Sequence, residues 1–290
     1  MKKLIVLLTC LLLTLVLAAC DGPQGEKGEK GDKGDKGDTP TISISDDGYW
    51  VINGEKTNVK AEADAAGDSA NPQGLAFYLK DDGTYAVAIG NARYLSEIVI
   101  PATYCGRAVT EIAAFGFSGS ITGEMLPLKK ITIPDSVTYI GGGAFEACAS
   151  LTEVYISDIE SWCNIDFSYE DSNPLWCAAN LYLDGELVTE LVIPDGIEKV
   201  KDYAFYGYSS LTSVTIPDSV TSIGDNAFLY CDSLNTVYYK GTAAEWSNIV
   251  IDDYGNSDLT FATRYYYSET EPTTSGNFWH YNDEGEIVKW

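Results

Sequence analysis

Apolar side chains return along much of the chain at a fixed interval of 23 residues. Ile193, Ile216 and Tyr239 are separated by this interval, and so are Phe205 and Phe228. A period of this length is typical of repeat proteins, in which one coil cannot bury its apolar edge alone and stacked coils form a continuous core. The pattern therefore predicts a stack of coils.

Each coil follows the same order of residue types. An alternating pair such as Val214 and Ile216 predicts a short strand with these side chains inward, and with Ser213 and Thr215 outward. Proline followed by a turn-forming residue then ends the strand. In three coils a phenylalanine comes eleven residues after that proline, and an earlier coil has one after five extra residues. We expect four phenylalanines to align in one column: Phe117, Phe145, Phe205 and Phe228.

The segment from Leu211 to Cys231 reads L-x-x-V-x-I-P-x-S-V-x-x-I-G-x-x-A-F-x-x-C. This pattern resembles the leucine-rich repeats of BspA-like bacterial surface proteins. The resemblance implies a β-rich leucine-rich repeat solenoid, right-handed and curved, of about six coils. It also implies display on the cell surface and adhesion to host proteins or to other cells.

Both ends of an open solenoid need a cap. Alternating apolar residues on either side of Asp81-Asp82-Gly83 predict a hairpin over the first coil, and residues 278–281 and 287–290 flank a polar turn at the other end. We assign residues 67–268 to the solenoid and 269–290 to the C-terminal cap. Residues 41–66 form a small β segment by the same turn and strand signals.

The chain begins with the pattern of a secretory signal peptide over residues 1–19, with two lysines before an apolar run. The string Leu17-Ala18-Ala19-Cys20 resembles the lipobox of bacterial lipoproteins. That resemblance implies cleavage before Cys20 and acylation of this cysteine, which would anchor the protein in the cell membrane or the outer membrane. A cleaved, secreted protein is the alternative.

Glycine recurs at every third position from Gly22 to Gly37, in triplets rich in Glu, Asp and Lys. The period is that of collagen, so residues 20–40 form a collagen-like linker. One interpretation is an extended, solvated spacer, because Pro23 is the only imino acid in these triplets. The other is a triple helix, which would make the protein a trimer.

Charge and histidine content exclude several functions. The chain has 43 Asp and Glu against 18 Lys and Arg, for a net charge of −25, which disfavours nucleic acid as a partner. Its single histidine, His280, provides little basis for histidine-dependent catalysis or His-rich zinc sites. We therefore expect no enzyme, no cofactor and no metal, although 43 carboxylates leave carboxylate-pair catalysis as a third class of function.

Outward strand positions are the predicted binding surface, since neighbouring strands lie about 4.8 Å apart and six rows would form one face about 25 Å wide. Tyrosines on such a face suit binding of a protein or a sugar, because one end of the ring is apolar and the other polar. Protein binding is the leading hypothesis, carbohydrate binding the alternative, and a merely solvated face the simplest interpretation. The candidate ligand-binding residues are Lys130, Glu153, Tyr155, Glu190, Thr215 and Tyr238.

Two coils carry long inserts that resemble each other and contain Trp162 and Trp246. These tryptophans either line an exposed binding loop or fill the core of their own coil, and the recurrence of the same residue types favours the core. Cys163 and Cys177 lie in one insert, and the sequence leaves a disulfide between them open. Cys148 recurs at the position of Cys231, as expected of a small buried residue.

Overall fold

The computed structural model describes residues 42–44, 49–52, 55–60, 73–122, 125–252 and 255–290. The chain divides into two compact units, residues 1–69 and 70–290. The predicted signal peptide, Cys20 and the collagen-like linker lie outside the described residues.

The described residues are rich in short strands. In chain order the strands are β1 (Ile42–Ile44), β2 (Tyr49–Ile52), β3 (Glu55–Lys60), β4 (Ala76–Leu79), β5 (Tyr85–Ala88), β6 (Glu97–Val99), β7 (Thr103–Tyr104), β8 (Arg107–Ile112), β9 (Lys130–Thr132), β10 (Tyr139–Ile140), β11 (Glu153–Ile156), β12 (Asp166–Phe167), β13 (Leu181–Leu183), β14 (Glu186–Leu187), β15 (Glu190–Val192), β16 (Lys199–Val200), β17 (Ser213–Ile216), β18 (Ser222–Ile223), β19 (Thr236–Tyr239), β20 (Val250–Ile251), β21 (Thr263–Tyr267), β22 (Phe278–Tyr281) and β23 (Ile287–Lys289). Short α-helices span Gly119–Thr122, Ile159–Cys163, Leu175–Ala178, Ala243–Trp246 and Ser257–Phe261, and 3-10 turns span Ala92–Tyr94 and Glu170–Ser172. In these ranges no helix has the length and apolar character that crossing a membrane requires.

In the first unit, β1, β2 and β3 form an antiparallel sheet in chain order. The pairing of β2 with β3 shifts register between Tyr49 and Val51. These strands lie in the segment for which the sequence predicts a small β module.

In the second unit, successive coils add parallel strands to two sets of ladders. On one side, β6, β9, β11 and β13 form sheet I, with β14 antiparallel at its edge, and β15, β17, β19, β21 and β22 form sheet II, with β23 antiparallel at its edge. On the other side, β5, β8, β10 and β12 form one ladder, with β4 at its end, and β16, β18 and β20 form another. The predicted β-rich repeat with parallel strand stacking is confirmed.

The core between the ladders consists of the apolar repeat positions. Phe117 stacks on Phe145 with ring centroids 5.7 Å apart, and Phe205 stacks on Phe228 at 5.3 Å. All four rings are buried. The expected column is therefore present as two stacked pairs. It is not continuous, because an insert coil that lacks the Ala-Phe step lies between the coils of Phe145 and Phe205.

Buried asparagines stabilise the two insert coils, which lack the Ala-Phe step of the regular repeat. The side-chain amide of Asn256 donates to the carbonyls of Gly224 and Asp252, both at 3.0 Å, and its oxygen accepts the Phe228 N–H at 3.2 Å. In the earlier insert, the side-chain amide of Asn173 donates to the carbonyls of Tyr203 and Ala204 in the following coil, at 2.7 and 3.1 Å, and its oxygen accepts the Leu175 N–H at 2.9 Å. Buried backbone groups need such partners, so these side chains replace ladder hydrogen bonds between coils.

Both predicted hairpin caps are present. At the N-terminal end β4 pairs antiparallel with β5, which joins the stack through parallel pairing with β8. At the C-terminal end β22 pairs in parallel with β21 and antiparallel with β23. The hairpins thus pair with the terminal strands of the stack, as a solenoid cap must.

Candidate functional site

The six candidate binding residues lie on two sheets, so the expected single face of six rows is wrong. Lys130, Glu153 and Tyr155 lie on sheet I, and the other three candidates, Glu190, Thr215 and Tyr238, lie on sheet II. The reason is that the first insert supplies a strand of its own. Strand β13 pairs with β11, and β14 then closes that edge by antiparallel pairing.

Sheet I carries a compact array of side chains on its outward face. The Nζ atom of Lys130 lies 3.8 Å from the centroid of the Tyr155 ring, which stacks on Tyr182 at 4.6 Å with an angle of 9° between the planes. The Tyr155 hydroxyl donates to Glu153 Oε2 at 2.9 Å. We call Lys130, Glu153, Tyr155 and Tyr182 the tyrosine array. Tyr182 was not among the predicted binding residues, although its place in the first insert corresponds to that of Tyr266 in the second.

The environment of the tyrosine array keeps its phenol protonated. Desolvation raises the pKa of Tyr155 to about 12, and the hydrogen bond to the Glu153 carboxylate adds to the shift. The hydroxyl is therefore a hydrogen-bond donor throughout the physiological pH range. Its ring is held between a cation and a second ring, so little freedom remains to be lost when a ligand binds.

Sheet II carries a second aromatic cluster, packed under the C-terminal hairpin. Lys289 Nζ lies 4.2 Å from the Tyr265 ring centroid, and the Tyr238 ring lies 5.5 Å from Trp279. Trp279 is fully buried, and its indole N–H donates to the Tyr239 carbonyl at 3.0 Å. Tyr238 thus lies on sheet II and also packs against the C-terminal cap of the solenoid.

The expectation that Thr215 is an exposed outward residue is wrong, because only 2% of its surface is accessible. In the strand register Thr215 lies between Val192 and Tyr238. A short side chain between two longer ones loses its contact with solvent. Glu190, at the start of β15, is exposed as expected.

A groove of about 260 Å³ lies near the C-terminal end of the stack, lined by Asp195, Asp218, Lys240, Tyr267 and Tyr281. Lys240 Nζ pairs with Asp195 Oδ1 at 2.7 Å. Asp195 and Asp218 each follow a strand-ending proline, where the repeat pattern predicts turn residues, so the groove was not predicted. Within the described residues, no group of three or more acidic, Cys or His side chains is arranged to hold a metal ion.

The tryptophans of the two inserts fill the core, and the alternative of exposed binding loops is wrong for them. Trp162 and Trp246 are both buried, and the Trp162 indole N–H donates to the Ala204 carbonyl at 3.0 Å. Trp246 lies at the end of the short helix Ala243–Trp246, whose capping box is formed by Thr242 and Glu245. These inserts are longer coils, since their strands β12 and β20 extend the two ladders.

The cysteines of the described coils have structural roles. Cys163 and Cys177 are both free thiols, so the disulfide that the sequence left open is not formed. The thiols of Cys148 and Cys231 donate to carbonyls of the preceding coil, at 3.0 and 3.3 Å. Burial raises the pKa of Cys148 to about 12, which keeps this thiol protonated and poorly nucleophilic.

Comparison with known proteins agrees with this architecture. The family model described as "BspA type Leucine rich repeat region" matches residues 88–172 and 179–252, in six copies. The chain belongs to this family. Leucine-rich repeat regions of this kind generally serve as protein-binding scaffolds without catalytic activity. No curated protein matches the BspA-type chain.

Several solved structures are similar to the BspA-type chain. A leucine-rich repeat protein of T. pallidum is 20% identical, with 68% of this chain and 70% of that chain covered and a TM-score of 0.32. One from Bacteroides capillosus is 24% identical, covering 60% and 99%, with a TM-score of 0.30. A leucine-rich cell surface protein from Faecalibacterium prausnitzii is 16% identical, covering 62% and 97%, with a TM-score of 0.25.

Proposed function

We propose that this protein is a non-catalytic surface lipoprotein that binds another protein, on a host cell or a neighbouring cell, through the outward face of sheet I. The tyrosine array is the observation that carries the proposal. A lysine, a carboxylate and two stacked tyrosines are held there at fixed positions on adjacent strands. Interfaces are enriched in aromatic residues that are already ordered before binding.

The strand register gives this face two parallel rows of different character. Val99, Thr132, Tyr155 and Tyr182 follow one another across four strands. Glu97, Lys130 and Glu153 form the second row, in which the charge alternates. With neighbouring strands about 4.8 Å apart, the first row extends over roughly 14 Å. An apolar and aromatic row beside an alternating charged row favours a protein partner with complementary charges.

Attachment to the cell is the second part of the proposal. Acylation of Cys20 would hold the protein in the cell membrane or the outer membrane, and the collagen-like linker of residues 20–40 would separate the solenoid from the lipid. An extended linker of this length reaches about 60 Å in polyproline geometry. If the linker forms a triple helix, three copies of the binding face would act together.

The test compares binding of the purified protein to intact target cells before and after their surface proteins are removed by protease. We expect saturable binding that protease treatment abolishes. Replacing Tyr155 and Tyr182 by alanine should weaken it at least tenfold, because two ordered aromatic contacts are lost. Tyr94→Ala is the matched control, since Tyr94 is 75% exposed and lies outside the array. Equal binding by the double variant and the wild type would contradict the proposal.

Carbohydrate binding is the second candidate, and the groove lined by Tyr267 and Tyr281 favours it. Aromatic rings beside the carboxylates of Asp195 and Asp218 suit a sugar, whose C–H face stacks on a ring while its hydroxyls donate to oxygen. Glycan-array binding that is lost on Tyr281→Ala and survives replacement of Tyr155 and Tyr182 would select this candidate.

A further inference from the structure

Three aromatic side chains from consecutive coils meet at the surface. Two of them, Tyr206 and Tyr230, lie one and two residues after the phenylalanines of their coils, and the third is Trp176 of the first insert. The Trp176 ring lies 5.3 Å from Tyr206 and 5.2 Å from Tyr230, and the two tyrosines are 5.5 Å apart. Trp176 is 47% and Tyr230 44% exposed, whereas Tyr206 is buried beneath them. We call these three residues the aromatic patch. It is separate from both outward sheet faces, since none of its residues belongs to a strand.

The repeat does not require aromatic residues at these positions. Two residues after its phenylalanine, the coil of Phe228 has Tyr230. The coils of Phe145 and Phe205 have Ala147 and Gly207 at that position. Tyr230 has a φ of 61°, and the residues at the same position of two other coils, Ala147 and Gly207, have φ values of 57° and 77°, so this left-handed conformation belongs to the repeat. Gly207 lies so close that a Cβ there would be 2.5 Å from the Trp176 Cα. The aromatic side chain of Tyr230 is thus an addition that the backbone of the repeat does not require.

The surroundings of the aromatic patch are acidic. Burial raises the pKa of Tyr206 to about 12, and the negative charges of Glu170 and Asp171 raise it further. Tyr203, whose ring centroid lies 6.0 Å from that of Tyr206, has its pKa raised by burial and by Glu170, among other carboxylates. The carboxylates of Glu170 and Asp171 therefore act on the buried tyrosine of the patch, and negative charge near an aromatic cluster favours the approach of a cation.

At several other positions in the described chain, a cation of the protein itself lies over an aromatic ring. Lys130 lies over Tyr155, Lys289 over Tyr265 and Arg264 over Trp246, at 3.8 to 4.2 Å from the ring centroids. Among the described residues, no lysine or arginine has this position over the aromatic patch. The patch thus offers exposed aromatic faces and nearby carboxylates without an internal cation.

We propose that the aromatic patch binds an arginine or lysine side chain in a basic segment of a partner protein. The cation would lie on the exposed face of Trp176 or Tyr230, and Glu170 and Asp171 would attract it. The net charge of −25 favours encounter with basic partners. This inference does not depend on the function of sheet I, because the two surfaces share no residue.

The test titrates the purified full chain into a fluorescein-labelled hexa-arginine peptide and follows fluorescence anisotropy. Trp176→Ala should raise the dissociation constant at least about fivefold, the size of one cation–π contact. Phe261→Ala is the control, since this ring is 87% exposed and its removal also leaves the net charge at −25. Diffuse attraction to an acidic protein would be equal in both variants, and that result would overturn the proposal.

Further variants separate the contributions of the two rings and the carboxylate to peptide binding. They also keep the proposal testable if Trp176→Ala fails to fold. Tyr230→Ala should also weaken binding, Glu170→Gln should weaken it less, and Trp176→Phe should retain part of the affinity because a ring remains. Replacement of Tyr155 and Tyr182 should leave peptide affinity unchanged, which separates this inference from the proposed function. Patch variants that bind the peptide normally while losing affinity for a neutral oligosaccharide, or losing self-association, would contradict it.

Discussion

Removal of the Phe228 ring tests the stacking of coils most sharply. The ring is fully buried and lies 5.3 Å from the Phe205 ring, with 25° between their planes. Replacement by alanine leaves a cavity between two coils, and a loss of this kind costs about 3–5 kcal/mol of unfolding free energy. Of this, about 0.5–1.5 kcal/mol is the contact between the two rings. The total equals a third or more of the stability of many domains.

The assay is urea unfolding followed by circular dichroism, with Phe261→Ala as the matched control. The same chemical change at that largely exposed ring should alter the free energy of unfolding by less than about 0.5 kcal/mol. A double-mutant cycle with Phe205→Ala should give a coupling of about 1 kcal/mol, because both variants remove one shared contact. If Phe228→Ala costs no more than the control, the stacked core is refuted.

Three further predictions concern polar groups, thiols and attachment. Asn256→Ala should lower the free energy of unfolding by at least about 2 kcal/mol, because buried backbone groups lose their hydrogen-bond partners. Asn235 is exposed, so Asn235→Ala should have little effect in the same urea assay. The pKa of Cys148 is raised to about 12, against about 8.5 for an unfolded thiol, so its contribution to stability should be complete below about pH 8.5 and be lost as pH rises toward 12. Unfolding free energies at successive alkaline pH values, compared between wild type and Cys148→Ala, check this, and a parallel pH dependence would contradict it. Cys20→Ser should move the protein from the membrane fraction to the soluble fraction, and continued sedimentation with membranes would refute acylation.

The regular part of the fold could be predicted because its determinants are local. Strand alternation, the proline that ends each strand and the phenylalanine eleven residues later all lie within one coil. Repetition of that coil then fixes which residues meet, as the stacked pair of Phe205 and Phe228 shows. The burial of Trp162 and Trp246 was also predictable, because the same residue types recur in both inserts.

The outward face was harder to predict because it depends on neighbours in other coils. Strand β13 lies inside an irregular insert, so the repeat register gave no row for Tyr182. The burial of Thr215 depends on the size of Val192 and Tyr238, each 23 residues away. The available signal was the correspondence between the two inserts, in which Tyr182 takes the place of Tyr266 in strand β21.

The aromatic patch and the buried asparagines could not be predicted from one coil at all. Trp176 and Tyr230 are 54 positions apart, and they meet only because the coils stack. The close approach of Gly207 to the Trp176 backbone is likewise a contact between coils. Such sites become visible only when the stacking order, including the insert, is known.

Site-specific photo-crosslinking tests the central claim most directly. A photoreactive phenylalanine analogue is placed at Tyr155 in one variant and at Phe261 in another, and each purified protein is irradiated on target cells. The account predicts a crosslink to a discrete target-cell protein from position 155 and none from position 261. Equal crosslinking from both positions, or crosslinking from position 261 alone, would contradict a binding face on sheet I.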